Sequence, residues 1–435
     1  MRTGFRLILT IVIIIFCFTG QQVLAQNIKA IKCGQFIDVK NEKLLSDIII
    51  IIQKDKILQV GPKLTIPPDA EVIDLSEYTV LPGLIEAHTH LMLQGDSTSE
   101  AYDEQLLKES ISYRTIRAVA AAKMALEYGF TSMRDIGNEG TMYADVDLKR
   151  AINRGIIPGP RLQVSTRALS VTGTYPLLRY AWDLDVPKGV QIVDGVDECR
   201  KAVREEISSG SDWIKVYCDR GYWIDTTNHG ISSKVNFTME ELKAIVDEAH
   251  RWKVKVAAHA IGRDGIRSAL EAGVNSIEHG DGFDDELIAR AIKQGVYWCP
   301  TMLVSDYVAG PRTAAGNSFW TQMLDYLHTA FKKGVQAGVK IALGSDAGGY
   351  PWTMNPVGEI VLMTKYGMTP GQALRASTLV PAELLGWQEK VGSLEVGKFA
   401  DLVAVEGNPL QDISLLQQIG FVMKEGKVYK NAFTH

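Results

Sequence analysis

Two histidines one residue apart, in Ala87-His88-Thr89-His90, stand at the end of an apolar run. If that run is a β-strand, side chains at i and i+2 face the same way and both imidazoles can grip one ion. Four further residues have the same character. Lys215 sits inside the apolar Trp213-Ile214-Lys215-Val216-Tyr217, His259 ends Ala257-Ala258-His259, His279 ends Ile277-Glu278-His279, and Asp346 follows Leu343-Gly344-Ser345. Taken singly, each has an ordinary explanation: a satisfied core histidine, a lysine snorkelling its amine to water, an aspartate capping a turn. Six such residues at or near the ends of apolar strand candidates are better explained as one metal-binding constellation. Imidazole suits zinc and similar first-row ions, and a carboxylate adds a harder ligand. A lysine ammonium cannot ligate, but burial beside cations lowers its pKa. The neutral amine can then add CO2 to give a carbamate, whose two oxygens could bridge two ions.

Convergence of this kind demands strands whose ends share one mouth. Apolar strand candidates fall at 84–88, 130–135, 161–166, 213–216, 254–259, 275–279, 296–300 and 340–345. They alternate with helical stretches at 104–128, 197–209, 238–251, 263–271, 284–293 and 319–337. Thr238-Met239-Glu240-Glu241 reads as a capping box, and Gly129, Gly210, Gly273, Gly295 and Gly338 follow helices where a left-handed cap is wanted. This alternation predicts an α/β fold, specifically a (β/α)8 TIM barrel, with side chains at the C-terminal strand ends facing one mouth. An open doubly wound sheet is the competing architecture, because periodicity does not report closure. β-Rich runs at 28–39, 47–52, 56–60 and 71–74 are matched by others at 400–405, 420–424 and 427–430, with Glu425-Gly426 as a hairpin turn. They predict a small β-sandwich domain formed from both termini, residues 26–82 and 388–435, around a barrel spanning 83–387.

On these residues the chain resembles the amidohydrolase superfamily in its binuclear form with a carboxylated lysine. The resemblance rests on Leu81-Pro82-Gly83-Leu84-Ile85-Glu86-Ala87-His88-Thr89-His90, Lys215, His259, Ser276-Ile277-Glu278-His279-Gly280 and Gly344-Ser345-Asp346-Ala347. The tail Gly392-Ser393-Leu394-Glu395-Val396-Gly397-Lys398-Phe399-Ala400-Asp401 is similar to that family's return into its sandwich domain. Ala257-Ala258-His259-Ala260, Gly262, Gly265 and Ala272-Gly273-Val274 resemble the branch of imidazolonepropionase, Xaa-Pro dipeptidases and ochratoxinase-type carboxypeptidases. The resemblance implies two divalent ions, with zinc expected. His88 and His90 would hold the first ion and His259 and His279 the second, with carboxylated Lys215 between them and Asp346 completing the first site. A hydroxide bridging the ions would attack an amide carbonyl, and Asp346 would take its proton and pass it to the departing amine. The implied substrates are dipeptides of Xaa-Pro type or N-acyl amino acids. The alternatives are cyclic amides or lactones on the same site, or a metal-binding scaffold without catalysis.

Substrate contacts are less clearly written. Loop 170–176 stands where many relatives carry Gly-Gly-His-Gly, and here Tyr175 takes the histidine's place. After the Lys215 strand, Tyr217, Arg220, Tyr222, Trp223 and His229 are candidates for the mouth. An Arg or Tyr there could bind a peptide carboxylate, with surface packing as the competing reading. His250 and His328 fall on helices and read as solvated, and His435 is a tail residue.

Composition sets the outer limits. The chain has 435 residues, 46% hydrophobic and 22% charged, which excludes disordered, collagenous and disulfide-staple classes. Net charge is −5 with no long basic run, so nothing suggests a nucleic-acid partner. Arg2 and Arg6 precede an apolar stretch and Val23-Leu24-Ala25, the pattern of a secretory signal over residues 1–25. That stretch is shorter than the ~20 residues a membrane span needs. Its removal takes away two Arg and no acid, lowering the net charge from −5 to −7. The expected product is an exported protein with no stable membrane insertion, acting on a small-molecule or dipeptide substrate, with homo-oligomerisation open. Cys33, Cys199, Cys218 and Cys299 are scattered without a C-x-x-C pair and read as free buried thiols rather than a bridge.

Overall fold

The computed structural model describes residues 28–175, 180–227 and 230–433. The signal-like segment, Cys17, His229 and His435 lie outside them. Strands from both ends of the described residues meet in one seven-stranded sheet. Its order is Lys427–Asn431, Phe421–Lys424, Leu402–Val405, Glu71–Pro82, Ile28–Asp38, Lys43–Gln53 and Lys56–Pro62. The joint is antiparallel, with Leu402 opposite Pro82 and Val405 opposite Thr79. Period-two alternation explains its core: Ile48, Ile50 and Ile52 face Leu75, Val80, Leu402, Phe421 and Met423. Glu425 and Gly426 carry φ of 52° and 72°, the left-handed pair that a tight hairpin requires.

The middle of the chain is parallel sheet and helix. Leu84–Thr89, Phe130–Asp135 and Arg161–Val164 pair in that order. Trp213–Tyr217, Lys255–Ala260, Ser276–His279, Tyr297–Cys299 and Lys340–Ile341 pair in theirs. Backbone hydrogen bonds run between the two groups at both edges: Asp212 N donates to Val164 O (2.8 Å), Ala87 N to Leu343 O (2.8 Å) and His90 N to Ala347 O (2.7 Å). Strand interiors are buried on both faces, which is why they read as unbroken apolar runs. Helices cover the sheet by amphipathic spacing. Met239–Arg251 buries Leu242, Ile245, Val246 and Ala249, and Thr238 and Glu241 form its capping box.

Two expectations need correction. The single helix over 104–128 is two, Ser99–Lys108 and Ile111–Glu127, because Ser110 caps the second by accepting from Tyr113 N. The last strand is only Lys340–Ile341. Beyond it Ser345 N turns to the Glu86 carboxylate (3.0 Å) and Asp346 N to His88 O (2.9 Å), so the backbone leaves ladder geometry. Among the described residues the four cysteines, Cys33, Cys199, Cys218 and Cys299, are free and buried. Among the described residues no helix is long and apolar enough to cross a membrane.

Candidate metal centre and active-site cavity

Strand register assembles the site. His88 is the penultimate residue of one strand, Leu84–Thr89, and His90 lies just past its end. Lys215 pairs with Ala257 and Tyr217 with His259, while His259 and Ala260 pair with Glu278 and His279. Side chains two apart therefore point into the same mouth. Asp346 Oδ1 lies 3.2 Å from His90 Nε2 and 3.7 Å from His88 Nε2, and the ligand atoms of these three lie within 4.8 Å of one another. The His279 ring is 5.0 Å from that of His88 and 4.5 Å from that of His259. Lys215 is buried and lines the same cavity as these five. His279, Thr301 and Asp346 hold φ of 73°, 51° and 61°, left-handed conformations that cost a non-glycine residue free energy.

Neighbours fix which ring nitrogen faces the centre. The Gly137 carbonyl can only accept, so His90 Nδ1 donates to it (2.8 Å) and Nε2 is left facing Asp346 Oδ1 (3.2 Å). His88 Nδ1 lies 2.9 Å from Glu278 Oε2, and His279 Nδ1 is 2.8 Å from Thr301 Oγ1. His259 is oriented differently, with Nε2 2.7 Å from the Tyr222 hydroxyl. Burial, then the Lys215 charge, holds His88 well below the usual imidazole range. Burial also brings His279 down to about 4 and holds His259 low. Burial opposes ionisation of Asp346, but His88 and His90 outweigh it and keep the carboxylate ionised. Both ring nitrogens of His88 are buried without a hydrogen-bond partner, the Glu278 Oε2 approach to Nδ1 being an ion-pair distance rather than an aligned hydrogen bond. Burial opposes protonation of His90, but the hydrogen bond and charge of Asp346 raise it to about 9, so His90 would release that proton on taking a cation. With His88, His259 and His279 held low beside an ionised carboxylate, the donor set fits a first-row cation.

The comparisons with known proteins agree with this geometry. A profile described as "Amidohydrolase family" matches residues 79–429. The chain belongs to the amidohydrolase family. Members of that family are hydrolases acting on carbon–nitrogen amide bonds. The chain is 30% identical to ochratoxinase of Aspergillus niger over 436 residues, covering 93% of this chain and 87% of the relative. It is 24% identical to imidazolonepropionase of Micrococcus luteus over 374 residues, 83% of this chain and 88% of that one. A solved Xaa-Pro dipeptidase with methionine bound in its active site superposes with a TM-score of 0.83 at 32% identity, covering 93% of this chain and all of the other.

Within this amidohydrolase, Tyr175, Tyr217, Arg220 and Tyr222 all line the cavity with the histidines. Tyr222 and Arg220 arrive on a hairpin, Asp219–Asp225 with Gly230–Val235, that the sequence reading did not anticipate. Trp223 on the same hairpin is exposed and does not line the cavity. His250 is exposed and bonded to Asn275. His328 is not solvated as expected: it is half-buried, stacked on Tyr366 at 3.6 Å. Several residues were missed. Glu139 receives the hydroxyls of Tyr102 and Tyr175, each at 2.6 Å. Arg134, wholly buried, donates to Glu278 (2.8 Å), Ser276 (3.0 Å) and Ala87 O (2.5 Å). Arg134 sits in a strand that also carries Thr131, Ser132 and Asp135, so its charge stood out less than that of Lys215; Glu139, in a loop without periodicity, carried no signal.

Proposed function

We propose that this protein is an exported, metal-dependent amidohydrolase that releases an amino acid from dipeptides of Xaa-Pro type or from N-acyl amino acids. The observation that carries the substrate reading is Arg220, whose buried Nε has no hydrogen-bond partner at the cavity wall. An arginine left uncommitted beside a hydrolytic centre suits a substrate carboxylate, which it can bind through two parallel hydrogen bonds. Ile261, Val304, Val308 and Met323 supply an apolar face in the same cavity for a side chain or acyl group.

His88, His90 and Asp346 would hold one divalent ion, and His259 and His279 a second, with zinc the expected metal. Bound cations of this kind polarise a carbonyl and acidify water. The protein's own groups do the rest. Gly137 O fixes the ring of His90 and Thr301 that of His279, while the Glu278 carboxylate stands 2.9 Å from His88 Nδ1. Asp346 takes a proton from the attacking water and delivers it to the departing amine nitrogen, which leaves with the C–N bonding pair. Burial pushes Lys215 down to about 8, where neutral amine is available to add CO2, and this supports the carbamate. The edge hydrogen bonds support a closed (β/α)8 barrel over 83–387. The shared sheet supports a β-sandwich domain from 26–82 and 388–435, and the leader pattern over 1–25 supports export.

The test is a screen of metal-loaded protein against Xaa-Pro, Xaa-Arg, Xaa-Lys and N-acyl amino acid substrates. Free amino acid release with about two ions per chain is expected. Turnover of cyclic amides or lactones alone would move the assignment to those substrates. Bound metal without turnover of any amide or ester would leave a binding scaffold.

A further inference from the structure

The Arg220 guanidinium is held by ring faces. Its central carbon lies 4.8 Å from the ring centroid of Tyr175 and 4.9 Å from that of Tyr217. A cation over an aromatic face is attracted by the ring quadrupole without spending its in-plane N–H donors, whereas a direct carboxylate pair would consume them. The two rings are themselves anchored. Tyr175 donates its proton to Glu139 Oε2 at 2.6 Å, and Tyr102 donates to the same oxygen at 2.6 Å. Since the Tyr175 proton is committed, the Tyr217 hydroxyl donates to the Tyr175 oxygen (3.1 Å) or to Glu139 Oε1 (3.4 Å). Glu139 is 2% exposed, so its carboxyl group is buried one layer behind the arginine, with Oε1 also 3.7 Å from His90 Nδ1. The loop bearing Tyr175 is tied separately, by Thr172 N (3.1 Å) and Oγ1 (2.6 Å) to Asp194, so Glu139 sets the ring rather than the loop.

We propose that Glu139 is a positioning residue for anion recognition: by drawing the Tyr175 and Tyr217 hydroxyls to itself, it sets the two ring faces that carry Arg220 into the cavity with its N–H donors free for a substrate carboxylate. This rests on the carboxylate-bearing substrate class proposed above. It explains how one cavity wall can hold a buried acid and a buried base without pairing them directly. The acid balances the charge at a distance, and the phenols stand between.

The test compares binding of L-leucine and L-leucinol to metal-loaded protein by calorimetry. Neither contains an amide, so the result is independent of turnover. Wild type is expected to prefer the acid, and Arg220→Met to abolish that preference. Glu139→Gln and Tyr175→Phe should each weaken it by about tenfold while leaving leucinol affinity within about twofold. Tyr175→Phe keeps the ring and answers the question if Glu139→Gln does not fold. The proposal is overturned if Arg220→Met retains the acid preference, or if a folded Glu139→Gln or Tyr175→Phe matches wild type. Acid preference set by Glu139 in a protein that cleaves no amide would sustain this inference while removing the proposed function.

Discussion

Replacing Arg134 with methionine should destabilise the protein more than any surface change and loosen its hold on metal. The Arg134 and Glu278 side chains are both 0% exposed, and the guanidinium makes hydrogen bonds to Ala87 O, Ser276 Oγ and Glu278 Oε1. Methionine keeps the apolar stem against Trp213, whose ring lies 4.5 Å from the guanidinium. The loss is therefore chiefly electrostatic. Removing one partner of a buried pair leaves the other charge uncompensated, at a cost of about 3–5 kcal/mol. With about 400 folded residues the unfolding entropy is about 0.8 kcal/mol/K, so the melting temperature of metal-free protein should fall by about 4–6 °C. Glu278 Oε2 also lies 2.9 Å from His88 Nδ1, close enough to hold that ring by charge, so Glu278→Gln should weaken metal affinity by about 10–100-fold. The double variant Arg134→Met/Glu278→Gln has no stranded charge and should recover about 1–3 kcal/mol relative to the sum of the singles. Thermal melts of the chelated protein and a competitive chelator titration read the two effects separately. A melting temperature for Arg134→Met within about 1 °C of wild type, or strict additivity in the double variant, would refute the argument.

Three further outcomes are expected. Asp346→Asn should lower kcat on an amide substrate by about 10²–10⁴-fold, and wild-type turnover would remove its proton-transfer role. Stripping metal with a strong chelator should abolish turnover and zinc should restore it; activity that persists with no metal detected by elemental analysis would exclude the proposed centre. Gly280→Ala should cost about 2 kcal/mol or more, because φ is +74° and a Cβ would meet Trp298 Nε1 at 2.5 Å. An unchanged melting curve for that variant would show that the turn after His279 relaxes freely.

What could be read from the sequence divides along physical lines. His88, His259 and His279 stood out because a buried parallel strand is apolar on both faces, so any ionisable residue inside one is conspicuous. The same contrast exposed Lys215, whereas Arg134 shares its strand with Thr131, Ser132 and Asp135 and is masked by them. The wall of the cavity follows no such rule. Glu139, Tyr102 and Arg220 come from a loop, a short helix and a hairpin, and their meeting depends on chain paths that local periodicity does not encode. Tyr175 shows the difference within one residue. Its place after the strand Arg161–Val164 was legible, but its partner was not, because Glu139 is 36 positions away in sequence and reaches the same phenol only in three dimensions. Strand ends therefore specify the chemistry of this protein, while loop packing decides which amide it admits.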